Sequence, residues 1–128
     1  MTSDAKGLVT RLVREVMVER RLEVVDEVYA PRLARAARRW IEPFLASFSD
    51  LDMRVVQLVQ EADVVVGRFA CSGTHTGQWM GHAPTGRRFS DVAEVYFFRV
   101  SDGRITSAWR LEDTAERLRQ LGLAGVES

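Results

Sequence analysis

The chain has 128 residues, and its eighteen basic and eighteen acidic side chains leave no formal net charge. That length suits one domain, residues 1–128, with a buried core of its own; the charge balance offers no global field for nucleic acid or an anionic membrane. The lone cysteine, Cys71, excludes an internal disulfide, no Cys/His cluster suggests a metal, and no run approaches the ~20 apolar residues of a membrane span. A cytoplasmic protein is expected.

Leu8, Leu12 and Val16, with Val9, Val13 and Met17, recur at helical spacing, and Ser3 or Asp4 can cap the first turn. Leu22, Val25, Val28 and Tyr29 predict a second short helix that Pro31 stops. Trp40, Ile41, Phe44, Leu45 and Phe48 form a third apolar stripe. Pro43 lies inside it, and its missing N–H predicts a kink or a restart. After Ser49-Asp50 the pattern becomes that of strands. Met53, Val55 and Leu58 are followed by Val64–Val66, Phe69 and Cys71, with a break at Glu61-Ala62-Asp63. Phe89 to Val100 and Ile105 to Leu111 are two further runs, joined across Ser101-Asp102-Gly103. Asp113 is a natural N-cap for a last helix, with Glu116 three residues on as in a capping box and Leu118 and Leu121 facing inward. Helices followed by an antiparallel meander make an α+β fold.

Between the second and third strands lies Gly-Thr-His-Thr-Gly-Gln-Trp-Met-Gly-His-Ala-Pro-Thr-Gly-Arg, residues 73–87. Glycines at 73, 77, 81 and 86 permit positive φ and close backbone approach, so this stretch is read as a strand that leaves its sheet and returns, forming the rim of a cup. The series Gly-Thr-His-Thr-Gly, Gly-x-x-Pro-Thr-Gly-Arg, Phe-Arg-x-x-Asp-Gly-Arg-Ile-x-x-x-Trp-x-x-x-Asp and Gln-Leu-Gly resembles the SnoaL-like polyketide cyclases over residues 48–123. The resemblance implies the nuclear transport factor two-like cone: a strongly curved antiparallel sheet packed against N-terminal helices, with a short C-terminal helix. It also implies a cofactor-independent enzyme of bacterial secondary metabolism, acting on an apolar, carbonyl-rich molecule by ring closure or proton transfer. Pairing through the convex face as a homodimer is a further expectation.

The hairpin decides which side chains share the cup. A three-residue loop with Gly103 left-handed pairs Tyr96 with Ala108 and Glu94 with Arg110; a two-residue Asp-Gly loop sets Tyr96 opposite Trp109 and turns Arg110 away. The resemblance favours the first, because family cyclases place a His at the position matching Tyr96 and their catalytic Asp at the position matching Arg110, both in the pocket. Glu94, Tyr96, Phe98 and Arg110 are therefore expected to face the cavity. Arginine cannot take up a proton at neutral pH, so Arg110 is assigned to an oxygen anion or enolate, with Tyr96 as donor and Glu94 or His75 moving the proton. Trp40, Phe44, Trp79, Met80 and Phe98 are the expected substrate-binding side chains.

Alternatives on the same residues are an ion pair of Glu94 with Arg110, a rim-fixing His75, and structural roles for Trp109 on the convex face and Asp113 as a cap. Asp91 is expected to face outward, and His82 to lie exposed among the loop glycines. The arginines at 20, 21, 32, 35, 38 and 39 lack interleaved aromatics and read as a solvated face rather than a nucleic-acid patch. Two rival functions remain in view: epoxide opening or assistance to hydroxylation, which two carboxylates near one arginine would favour, and non-catalytic binding of a small molecule.

Overall fold

The computed structural model describes residues 4–123. The first helix, α1 (Ala5–Arg11), is capped by Asp4, whose carboxylate accepts the Gly7 N–H at 2.8 Å, and it continues as a π-helical segment, Leu12–Val18. Ser3 lies outside the described residues. A 3₁₀ turn, Leu22–Val24, leads into α2 (Val25–Val28), and α3 spans Pro31–Ser47. Pro31 therefore opens the third helix at its first position, where a missing N–H costs nothing, rather than only ending the second. Pro43 neither breaks nor restarts α3, which runs through it; one absent backbone bond is offset by the packing of the apolar stripe. Arg20 reaches the far end of α3 and donates to the carbonyls of Leu45 at 2.6 Å and Phe48 at 3.2 Å, occupying acceptors that the helix leaves free.

The sheet has the order β1 (Asp52–Glu61), β2 (Val64–Thr74), β3 (Arg88–Ser101), β4 (Arg104–Glu112), every pair antiparallel. Each pairing contains a register shift, and such bulges bend the strands into a curved, open sheet. Helices cover its concave side, and the core lies between them: Val9, Val16, Val25, Ile41 and Phe48 from the helical layer meet Phe69, Phe89, Tyr96 and Phe98 from the strands. The last helix, α4 (Thr114–Gln120), closes one end. Asp113 accepts its Glu116 N–H at 3.1 Å, while the Glu116 carboxylate turns to Arg119 and Gln120, leaving the capping box half made. Leu121 is buried as expected; Leu118 is only partly so, and the fully buried side chain of this helix is Arg117.

The hairpin corrects the expected loop. Ser101 pairs with Arg104 across a two-residue turn, Asp102 (φ 52°) and Gly103 (φ 75°), the left-handed conformation that suits a tight hairpin. A bulge between Arg99 and Val100 then restores the parity that this shorter turn would have reversed. Phe98 faces Ala108, Tyr96 faces Arg110, and Glu94 faces Glu112. The four side chains expected on the concave face share it, but each pairs two residues further along β4 than the three-residue loop required.

Candidate active site

A cavity of about 330 Å³ opens between α3 and the β3–β4 hairpin. Trp40, Pro43, Phe44 and Ser47 of α3 form one wall; Glu94, Tyr96, Arg110 and Glu112 form the other; the rim residues Gln78, Trp79 and Met80, with Thr114, complete it. The rim is docked on the end of α3. The Thr76 and Gly77 N–H groups both donate to the Ser47 carbonyl at 3.0 Å, and the Ser47 hydroxyl donates to the Gln78 carbonyl at 2.6 Å. Gly77 is required by close approach, since a Cβ there would sit 2.3 Å from the Ala46 carbonyl oxygen, whereas Gly81 and Gly86 take positive φ in open space.

Polar groups run along the cavity wall in one connected series. The Tyr96 hydroxyl donates to Glu94 Oε1 at 3.2 Å; Arg117 Nη2 donates to Glu94 Oε2 at 2.6 Å and its Nη1 to Glu112 Oε1 at 2.6 Å; Arg110 Nε donates to Glu112 Oε2 at 3.1 Å. The Arg110 guanidinium lies over the Trp40 ring, 4.3 Å from its centroid. Two carboxylates and two guanidiniums make the series neutral, so it can line a largely apolar space without an uncompensated charge. Glu94 is nearly fully buried, and desolvation pushes its carboxyl above the ordinary range while the Arg117 guanidinium opposes that rise. Burial also raises the Tyr96 phenol, so it stays protonated and can donate.

The partner of Glu94 is therefore Arg117, not Arg110. In the observed register Glu94 stands opposite Glu112, and the buried cation that joins them comes from α4. Arg117 sits in an aromatic box, its Cζ 4.8 Å from the Phe89 ring centroid, 5.2 Å from Phe44 and 5.9 Å from Trp79. Sequence reasoning missed both Arg117 and Glu112. An arginine one position before an inward leucine reads as solvated, and only the β3–β4 pairing reveals the carboxylates that draw it in. Arg110 lines the cavity wall, with 38% of its side chain exposed.

His75 lies apart from this wall. It is fully buried beside Phe48 and Trp79, its Nδ1 accepts the Thr85 N–H at 3.1 Å, and its backbone pairs with Arg87 and Gly86. Burial holds its imidazole below the usual range. Phe98 also does not reach the main cavity. It lies beneath Tyr96, ring centroids 5.3 Å apart and nearly parallel, and supports that ring from below. Trp40, Phe44, Trp79 and Met80 all line the cavity, Met80 well exposed. Asp91 is exposed and paired with Arg54, and His82 is partly buried through a backbone bridge to Trp79. Among the described residues no group of His, Cys, Asp and Glu could hold a metal ion, and no helix is long and apolar enough to cross a membrane.

Comparison with known proteins identifies the architecture. The aklanonic acid methyl ester cyclase DnrD of Streptomyces peucetius is 29% identical over 101 residues, 79% of this chain and 68% of that protein. The structure of TsrD from Streptomyces laurentii superposes with a TM-score of 0.87 at 25% identity, covering 96% of this chain and 99% of that one. AclR from Streptomyces galilaeus, proposed to be a hydroxylase, superposes at 0.85 and 25% identity, covering 95% and 83%. The family model for SnoaL-like polyketide cyclase matches residues 8–121, and the chain belongs to that family.

Proposed function

We propose that this protein is a cyclase-type enzyme of secondary metabolism that closes a ring within a carbonyl-rich, largely apolar small molecule. The observation that carries the reading is the series Tyr96–Glu94–Arg117–Glu112–Arg110 along one wall of the cavity, faced by Trp40, Phe44 and Trp79. A raised carboxyl in a water-poor site is matched to proton transfer near neutral pH. Glu94 takes a proton from the carbon beside a substrate carbonyl, and the resulting enolate carbon attacks a second carbonyl of the same molecule. A carbon–carbon bond forms, and the new alkoxide regains the proton from Glu94. Arg110, with only its Nε engaged among the described residues, presents its Nη groups to the enolate oxygen, the electrostatic role left open to an arginine where relatives are expected to keep a base. Tyr96 and Arg117 orient Glu94, and His75 anchors the rim rather than moving the proton. The likeness to DnrD makes aklanonic acid methyl ester the first substrate to try. Conversion to an isomer of unchanged mass is expected, with Glu94→Gln and Arg110→Ala each lowering kcat/KM about 100-fold or more; full activity in both variants overturns the assignment.

A second reading has a specific observation behind it. Two carboxylates, Glu94 and Glu112, flank the single Arg117. Protonated Glu94 could donate to an epoxide oxygen while Glu112, with 23% of its side chain exposed, activates a water at the ring carbon. A product heavier by one water distinguishes this from ring closure. Binding without any change in ligand mass would instead mark a carrier. We also infer that two copies pair through the convex sheet face.

A further inference from the structure

We propose that the Arg110–Trp40 stack is a movable partition, and that the smaller cavity behind it is a second subsite for the far, apolar end of an elongated flat ligand. This deepens the reading above and relies on it only for which end of the ligand reacts. The second cavity, about 180 Å³, is lined by Tyr29, Leu33, Ala36, Ala37 and Ala108 together with Trp40, Tyr96 and Arg110. The last three also line the main cavity, so the wall between the two spaces consists of those side chains. Trp40 and Tyr96 are large rings packed 6.2 Å apart, and Tyr96 is fixed by its bond to Glu94 and its stack on Phe98. Arg110 is held far less. It stands on β4, the edge strand, and its contacts are one bond to the partly exposed Glu112 and the face of Trp40.

A planar ring can take the place of a planar guanidinium on the indole face, since both are attracted to it in the same stacked geometry. Once the guanidinium leaves the indole face and swings toward the cavity that holds Glu94, the spaces join into one slot. The reacting end then lies beside Glu94 and Arg110, while the far end lies on the small side chains of Ala36, Ala37 and Ala108, which share the lining with Leu33 and Tyr29. Tyr29, held in place where the Ala30 N–H donates to the Ile105 carbonyl at 2.9 Å, adds a phenol that stays protonated at neutral pH and can donate to an oxygen on that distal end. The occupant is a ligand of three or more fused rings bearing oxygens at both ends.

Isothermal titration calorimetry with a two-ring probe, 2-hydroxy-1,4-naphthoquinone, and a three-ring probe, 1,8-dihydroxyanthraquinone, tests this. Ala36→Phe and Ala108→Phe fill the second cavity from positions exposed at its edge, and a melting curve confirms that each variant folds. Both are expected to weaken the three-ring probe about tenfold or more while changing the two-ring probe by less than about twofold. Arg110→Ala is expected to raise the preference for the three-ring probe. Equal weakening of both probes, no weakening of either, or failure of the wild-type protein to bind the three-ring probe overturns the proposal. The ring-closure reading is judged separately by turnover in Glu94→Gln, so either can fail while the other stands.

Discussion

At Arg117 a guanidinium with no exposed surface is surrounded by three aromatic rings and held by two carboxylates. A buried ion pair adds little net stability, because desolvation consumes most of the attraction, yet removing one member strands the other. Arg117→Met should therefore cost about 3–5 kcal/mol by leaving Glu94 charged and unpaired in the core. Adding Glu94→Gln should recover a large part of that loss, because the orphaned charge disappears. Urea titrations of the two single variants and the double variant measure the coupling; strictly additive effects would mean that the pair is not the unit described. His75 makes a second residue-level case. Its imidazole is neutral in the folded protein, with the pKa held below 6.5 by burial, so between that folded value and 6.5 the unfolded chain binds the extra proton. Stability is then complete above about pH 6.5 and falls as the pH drops below it, by up to about 1.4 kcal/mol per pH unit until the folded pKa is reached. His75→Gln, which cannot titrate, should flatten that part of the stability–pH curve relative to wild type.

At the scale of elements, the rim depends on how closely it approaches α3. Gly77→Ala would place a methyl group against the Ala46 carbonyl, and backbone on both sides leaves no flexible neighbour to yield. A cost of about 1–3 kcal/mol is expected, together with weaker binding of any cavity ligand, because the same contact holds Gln78, Trp79 and Met80 over the opening. Thermal melts and titrations on the one variant read both effects. The elements themselves were largely legible: apolar periods of 3.6 and 2 marked the helices and strands, the pair Ser3 and Asp4 marked the first helix start, and Asp113 marked the last. Parity on the hairpin came from the family resemblance, since the residues alone left two registers open, and it holds for a compensated reason. The turn is one residue shorter than expected and the bulge at Thr106 adds one back, and no residue type announces a bulge of that kind. Arg117 and Glu112 stayed hidden because their meaning arises only when α4 folds across the ends of β3 and β4. A charged side chain seen alone gives no sign that a partner from another element will bury it.

At the scale of the whole molecule, the convex face of the sheet is the surface that the helices leave uncovered. Cross-strand pairing places Val59, Val66, Phe97 and Trp109 in one row across all four strands, with Leu111 and Val95 in the next row toward α4. Phe97 and Trp109 meet edge to face at 5.6 Å, and Trp109 remains 56% exposed. A contiguous apolar row of this kind on an open sheet is costly in water, and it is the feature on which the proposed pairing of two copies rests. A twofold axis through it would set the same row against itself, so each chain would supply both halves of the contact. Because Trp109 and Phe97 point away from the cavity, a change there should alter assembly and leave the reacting groups in place. Trp109→Asp combined with Phe97→Lys is expected to convert a dimer to a monomer in sedimentation equilibrium while the far-ultraviolet circular dichroism stays that of the wild type. A wild-type protein that sediments as a monomer at high micromolar concentration would remove the reason for the row, and a double variant that remains dimeric would place the interface elsewhere.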